Sequence, residues 1–164
     1  MIRHTFAVFV LLGATSLASE NPIVKADSIL ILKKERVLQL LKDGKPFKKY
    51  RIALGRSPIG AKTQQGDNRT PEGNYVVDSR NPQSTYHLSL HVSYPNAQDI
   101  ANAKARHVLT GGDIMIHGLP KQYAWVGAAH VKRDWTLGCI AVTNAEIEEI
   151  WRLVPNGTPI EIRP

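Results

Sequence analysis

Asp43-Gly44 stands between two short runs of strand-forming residues, Arg36 to Leu41 and Phe47 to Leu54. A tight hairpin loop needs positive φ at its central residues, which Asp-Gly tolerates, so the pair predicts two antiparallel strands joined by a sharp turn. Phe47, Tyr50, Ile52 and Leu54 supply the apolar side of the second. Asp27 to Lys33 is a similar run, with Ile29 to Leu32 too short together for a helix, and Asn74 to Asp78 is another. Tyr86 to Ser93 alternates, with Tyr86, Leu88, Leu90 and Val92 on one face and His87, Ser89, His91 and Ser93 on the other. Asp113 to His117 reads as a buried strand and Thr158 to Ile162 as a closing one. Helical signals are few. Thr143 and Glu146 form a capping box ahead of a stripe of Ile147, Ile150, Trp151 and Val154, which Pro155-Asn156-Gly157 stops. Asp99 to His107 is a shorter candidate. The pattern predicts a mostly β domain with one or two short helices, and 164 residues suffice for one self-sufficient core.

The single cysteine, Cys139, excludes an internal disulfide and a multi-cysteine zinc site. It follows Gly138 in a predicted tight turn, and His117 ends the apolar run Ile114-Met115-Ile116 ahead of Gly118. A thiol is mostly protonated at neutral pH, while the thiolate is what attacks, so a nearby imidazole as base and later acid completes a nucleophilic pair. Gly138 permits successive backbone N–H groups, from Leu137, Gly138 and Cys139, to converge on an oxyanion. Gly118 keeps space beside His117 and offers a carbonyl to orient the imidazole. The plain alternative is a small buried thiol and a structural histidine. His130 is the rival base, without the strand-end placement or the following glycine. Lys62 and Arg69, in the loop from Arg56 to Thr70, are candidates for binding a substrate carboxylate. His87 and His91 are candidates for a cleft wall. A metal site built on them with His107 or His117 lacks an accompanying carboxylate cluster, so no metal or other cofactor is expected. The Thr136 hydroxyl serves either the turn or the substrate, and Trp125 is read as anchoring the long connection from Leu119 to Lys132 to the core.

His117-Gly118, then Thr136-Leu137-Gly138-Cys139-Ile140, then Asn144, resembles the signature of the L,D-transpeptidase catalytic domain. The likeness continues through Leu54-Gly55, Gly66-Asp67, Thr70-Pro71-Glu72-Gly73 and Tyr94-Pro95-Asn96, covering roughly Asp27 to the C-terminus. It implies a β-sandwich or barrel-like fold over residues 27–164 and a peptidoglycan L,D-transpeptidase. Cys139 would form a thioester with a tetrapeptide stem and pass it to an amine of a neighbouring stem or a wall-anchored lipoprotein. Transfer to water would instead make an L,D-carboxypeptidase or hydrolase. A non-catalytic wall-binding module is the alternative of another class. Two departures stand out: Leu137 where many members have His, and Ala141 where many have Arg. The second bears on substrate preference more than on mechanism.

Residues 1–18 read as a secretory signal, with Arg3 and His4 before an uncharged run from Thr5 to Leu17 and a small-x-small site at Ser16-Leu17-Ala18. The run is shorter than the ~20 residues of a spanning helix. Residues 19–26 then form a short linker, and the mature protein is expected in the periplasm without a stable membrane span. Net charge is +7, or +6 without Arg3. The location and the scatter of basic residues without aromatic interleaving argue against nucleic acid as a partner. A solvated basic face, or attraction to an acidic wall polymer, fits better.

Overall fold

The computed structural model describes residues 24–164, so the expected signal and most of the linker lie outside the described residues. Eight strands form one sheet: β1 Ser28–Leu32, β2 Val37–Lys42, β3 Lys45–Arg51, β4 Gly73–Asn81, β5 Ser89–Val92, β6 Met115–His117, β7 Ile140–Ala141 and β8 Pro159–Arg163. Two helices, α1 Ala97–Ala105 and α2 Asn144–Leu153, and a 3-10 segment, Lys121–Lys132, complete the described chain. The strand order is β3-β2-β1-β8-β4-β5-β6-β7. The hairpin predicted at Asp43-Gly44 is β2–β3, with both turn residues at positive φ.

The sheet curls because β4 serves two partners. Gly73 to Val76 pairs with β8, Val77 to Asn81 pairs with β5, and the register shifts between Val77 and Ser79. The far ends of the order then meet. Just past β3, the backbones of Ala53 and Ala141 exchange two hydrogen bonds of 2.9 Å, joining the first hairpin to β7. The expected sandwich or barrel is thus a single sheet rolled nearly shut. Inside it lie the alternate residues of its strands, among them Ile29, Ile31, Leu38, Leu90 and Ile116. Burying each such side chain stabilises the fold by about 1.5–3 kcal/mol before chain entropy is counted.

Helix α2 lies across β6 and presents buried Ile147, Ile150 and Leu153 to the core. Its capping box forms as expected, Thr143 accepting from the Glu146 N–H and Glu146 closing back on Thr143. Trp151 packs at the edge of the core, with the Arg80 guanidinium 3.9 Å over its ring. Helix α1 has a second capping box, Asn96 with Asp99.

Three expectations need correcting. The alternating run begins as a strand only at Ser89, because His87 adopts φ 73° and turns the chain before it. The connection from Leu119 to Lys132 is largely 3-10 helix, and Trp125 on it is 83% exposed rather than an anchor. Lys33 is not part of a solvated basic face. It is buried, with its ammonium on Glu72 Oε1 at 2.7 Å and on the carbonyls of Gly60 and Thr70.

Candidate active site

Cys139 sits at the entrance to β7, in a turn welded to the body of the protein. The Thr136 N–H donates to the Leu54 carbonyl, and the Arg56 N–H donates to the Thr136 carbonyl. The Thr136 hydroxyl donates to the Cys139 carbonyl at 2.8 Å and accepts from the Gly138 N–H at 3.1 Å. Asp134 accepts from the Leu54 N–H and takes a forked contact from Arg36 at 2.7–3.0 Å. Gly138 has φ 135°, and a Cβ there would lie 2.7 Å from the Arg69 carbonyl oxygen. A side chain would therefore be strained and would collide with backbone.

His117 reaches the same place from the end of β6. Strands β6 and β7 run parallel, pairing Ile116 with Ile140 and His117 with Ala141. The Val142 N–H donates to the His117 carbonyl at 2.9 Å. The imidazole Nδ1 lies 2.7 Å from the Gly118 carbonyl. A carbonyl can only accept, so Nδ1 carries the proton and Nε2 is the basic nitrogen. The ring is 3% exposed, between Tyr86 at 4.5 Å and Trp135 at 5.8 Å between centroids. Burial lowers its pKa to about 4, the Gly118 bond opposing and the His130 charge assisting. Gly118 is enclosed rather than open. A Cβ would lie 2.5 Å from Asn144 Oδ1, which itself accepts from the Leu119 N–H at 2.6 Å.

The thiol is held up from its ordinary pKa by burial, with a Met115 backbone hydrogen bond pulling the other way. Its sulfur lies 3.5 Å from the Asp113 carbonyl. Burial thus favours the neutral form of both groups, the thiol and the imidazole.

Cys139 and His117 line one groove of about 670 Å³ with Tyr86, Trp135, Thr136 and Leu137. The Gly138 N–H is committed to Thr136. Among the described residues the N–H groups of Leu137 and Cys139 have no partner, leaving these two of the three expected oxyanion donors free. The Leu137 side chain is exposed, so what it offers the site is its backbone.

The other candidate residues offer the groove no free side chain. Thr136 lines the groove, but its hydroxyl is engaged within the turn. Lys62 is buried against Asp67 at 2.9 Å, inside a loop that Asp67 also ties through the N–H groups of Thr63, Gln64 and Arg69. The Arg69 guanidinium lies beside Gly60. His87 pairs with Glu148 and His91 with Asp78. None of Lys62, Arg69, His87 or His91 lines the groove; Ser89 is what that strand contributes. His130 is separated from it by Trp135, whose indole N–H donates to His130 Nδ1 at 3.2 Å. Ala141 is fully buried and cannot meet a substrate. Among the described residues, no group of three His, Cys, Asp or Glu side chains could hold a metal ion. The sequence reading missed Arg56 and Asp113 in the groove, and Asp134 beneath it.

A curled mostly β domain with a Thr-x-Gly-Cys turn beside a His-Gly strand end defines the class of the cell-wall transpeptidase domains. The family model described as YkuD, L,D-transpeptidase catalytic domain, matches residues 26–162, and the chain belongs to that family. It is 33% identical over 132 residues to YafK of Escherichia coli K12, covering 77% of this chain and 46% of that protein. Among solved structures, the helical cell shape determining protein Pgp2 from Campylobacter jejuni superposes with a TM-score of 0.63 at 26% identity, over 82% of this chain and 46% of its own. Bd1075 of Bdellovibrio bacteriovorus gives 0.57 at 26% identity, over 83% and 47%. The chain thus spans about half the length of these relatives.

Proposed function

We propose that this domain is a peptidoglycan L,D-transpeptidase of the periplasm, acting through a Cys139 thioester. The His117 Nε2 takes the thiol proton as sulfur attacks the carbonyl of the third residue of a tetrapeptide stem. A C–S bond forms, and the oxyanion is held by the N–H groups of Leu137 and Cys139. As the C–N bond breaks, His117 returns the proton to the departing terminal amine. An incoming amine then gives its proton to His117, attacks the thioester and expels the thiolate, which regains the proton. The observation that carries this reading is the Nδ1 bond of His117 to the Gly118 carbonyl, which leaves Nε2 basic in the groove it shares with Cys139. Among the described residues no helix is long and apolar enough to cross a membrane. Pgp2 is a helical cell shape determining protein, and wall remodelling here belongs to the same proposal.

The test is intact-protein mass spectrometry of the protein mixed with a disaccharide-tetrapeptide, with Cys139→Ala as control and products weighed from the same tube. A stem adduct on the unaltered protein alone, with cross-linked dimer, is the expected result. An adduct with only tripeptide released would reassign the domain as a carboxypeptidase. No adduct and no product from folded protein would point to a non-catalytic wall-binding module.

A further inference from the structure

Among the described residues, two side chains that carry a full charge at neutral pH line the groove: Arg56 and Asp113. They lie on different segments. Arg56 is tied to the nucleophile turn twice, its backbone N–H on the Thr136 carbonyl at 3.0 Å and its Nε on the Trp135 carbonyl at 3.1 Å. The second bond turns the Nε edge of this exposed guanidinium toward the Trp135 carbonyl. Among the described residues its two terminal nitrogens have no partner. Asp113 follows Gly112 on the segment leading into β6, and its backbone carbonyl is the one 3.5 Å from the Cys139 sulfur. Its side chain is exposed and likewise without a hydrogen-bond partner among the described residues. The rest of the lining is neutral, with amides and hydroxyls from Asn81, Gln83, Ser84 and Thr85.

An oriented arginine with a free fork matches a carboxylate, and charge-assisted pairs of this kind are the strong ones. An anion on the residue whose carbonyl meets the Cys139 sulfur disfavours a carboxylate at that point. We propose that Arg56 reads the free terminal carboxylate of the peptide, one residue beyond the bond that Cys139 attacks, with Asp113 enforcing that direction. The proposal rests on the transpeptidase reading for the identity of the peptide. Arg56 makes the site selective for a chain end over the interior of a longer stem. Because the acceptor enters where the terminal residue left, Arg56 also favours acceptor amines that carry a carboxylate nearby. The buried Ala141 leaves this task to a different segment of the chain.

Binding tests it without turnover. In a Cys139→Ala background, calorimetric titration compares the tetrapeptide stem with its C-terminal amide, against protein with Arg56 and with Arg56→Gln. The expected result is a preference for the free carboxylate of about tenfold or more. Arg56→Gln should remove it by weakening the acid while leaving the amide unchanged, and Arg56→Lys should keep part of it. Equal binding of acid and amide to the Arg56 protein, binding of neither, or a full preference surviving Arg56→Gln would overturn the proposal. So would an equal loss for acid and amide, which marks a merely structural arginine. The mass-spectrometric result separates the two ideas. Carboxylate preference without an adduct removes the transpeptidase and keeps the carboxylate reader; an adduct without preference does the reverse.

Discussion

With its pKa lowered to about 4 by burial, His117 stays a neutral base through the mildly acidic range where an ordinary imidazole is already charged. Acylation by the tetrapeptide should therefore persist at about pH 5.5, with its acidic limb nearer 4 than the usual 6.5 or so. Stopped-flow thioester formation across pH reads this directly, and a limb near 6.5 would show that burial does not lower the pKa of the base. His117→Ala should slow acylation by about 10²–10⁴-fold and His130→Ala should not. The same shift links to stability. Below its ordinary pKa the unfolded histidine binds a proton that the folded one refuses until about pH 4. The contribution of neutral His117 is thus complete above about 6.5 and is lost as pH falls toward 4, a difference on the order of 3 kcal/mol. Urea midpoints measured near pH 7.5 and 5 should differ less for His117→Gln than for the unaltered protein.

At the scale of elements, the Cys139 turn is held in part by groups outside the groove lining, Asp134 and the Leu54 backbone. Asp134 accepts from both Arg36 and the Leu54 N–H. Asp134→Ala leaves those donors partly buried without an acceptor and should destabilise the fold by about 2–3 kcal/mol in urea melts. Gly118→Ala drives a methyl into Asn144, whose side chain holds Leu119, and should reduce acylation while retaining most of the fold. Circular dichroism beside thioester formation separates the two effects. Much of this level is legible in the chain. The Asp43-Gly44 hairpin, the Thr143–Glu146 cap and the pairing of His-Gly with Thr-x-Gly-Cys depend on near neighbours or on a motif. The Asn96–Asp99 capping box opens α1 at Ala97, two residues ahead of the expected Asp99. The 3-10 segment left no trace, because its residues lack the 3.6-residue period of an amphipathic helix. Nor was the φ of 73° at His87 visible, since nothing local to that histidine demands it. Arg36 and Asp134 are 98 positions apart, and no local pattern pairs them. Lys62 and Arg69 lie in the expected loop, but Asp67 gathers that loop onto itself and neither residue lines the groove.

At the scale of the molecule, closure of the sheet aligns the two halves of the site. The paired bonds between Ala53 and Ala141 fasten the first hairpin to the strand that follows Cys139. Ala53→Pro removes one donor and strains its neighbours, so it should cost about 3 kcal/mol and slow thioester formation together, as read by urea melts and acylation rates on the same preparation. A melt that weakens while acylation is retained would show that closure is not needed to position the thiol. The strand order carries a further consequence. Strand β8, the last in chain order, lies in the interior of the sheet between β1 and β4. Each half of the roll therefore waits for it, and a growing chain cannot assemble the site before that segment is available. The segment after α2, which lines no part of the groove, thus decides when Cys139 and His117 are brought together.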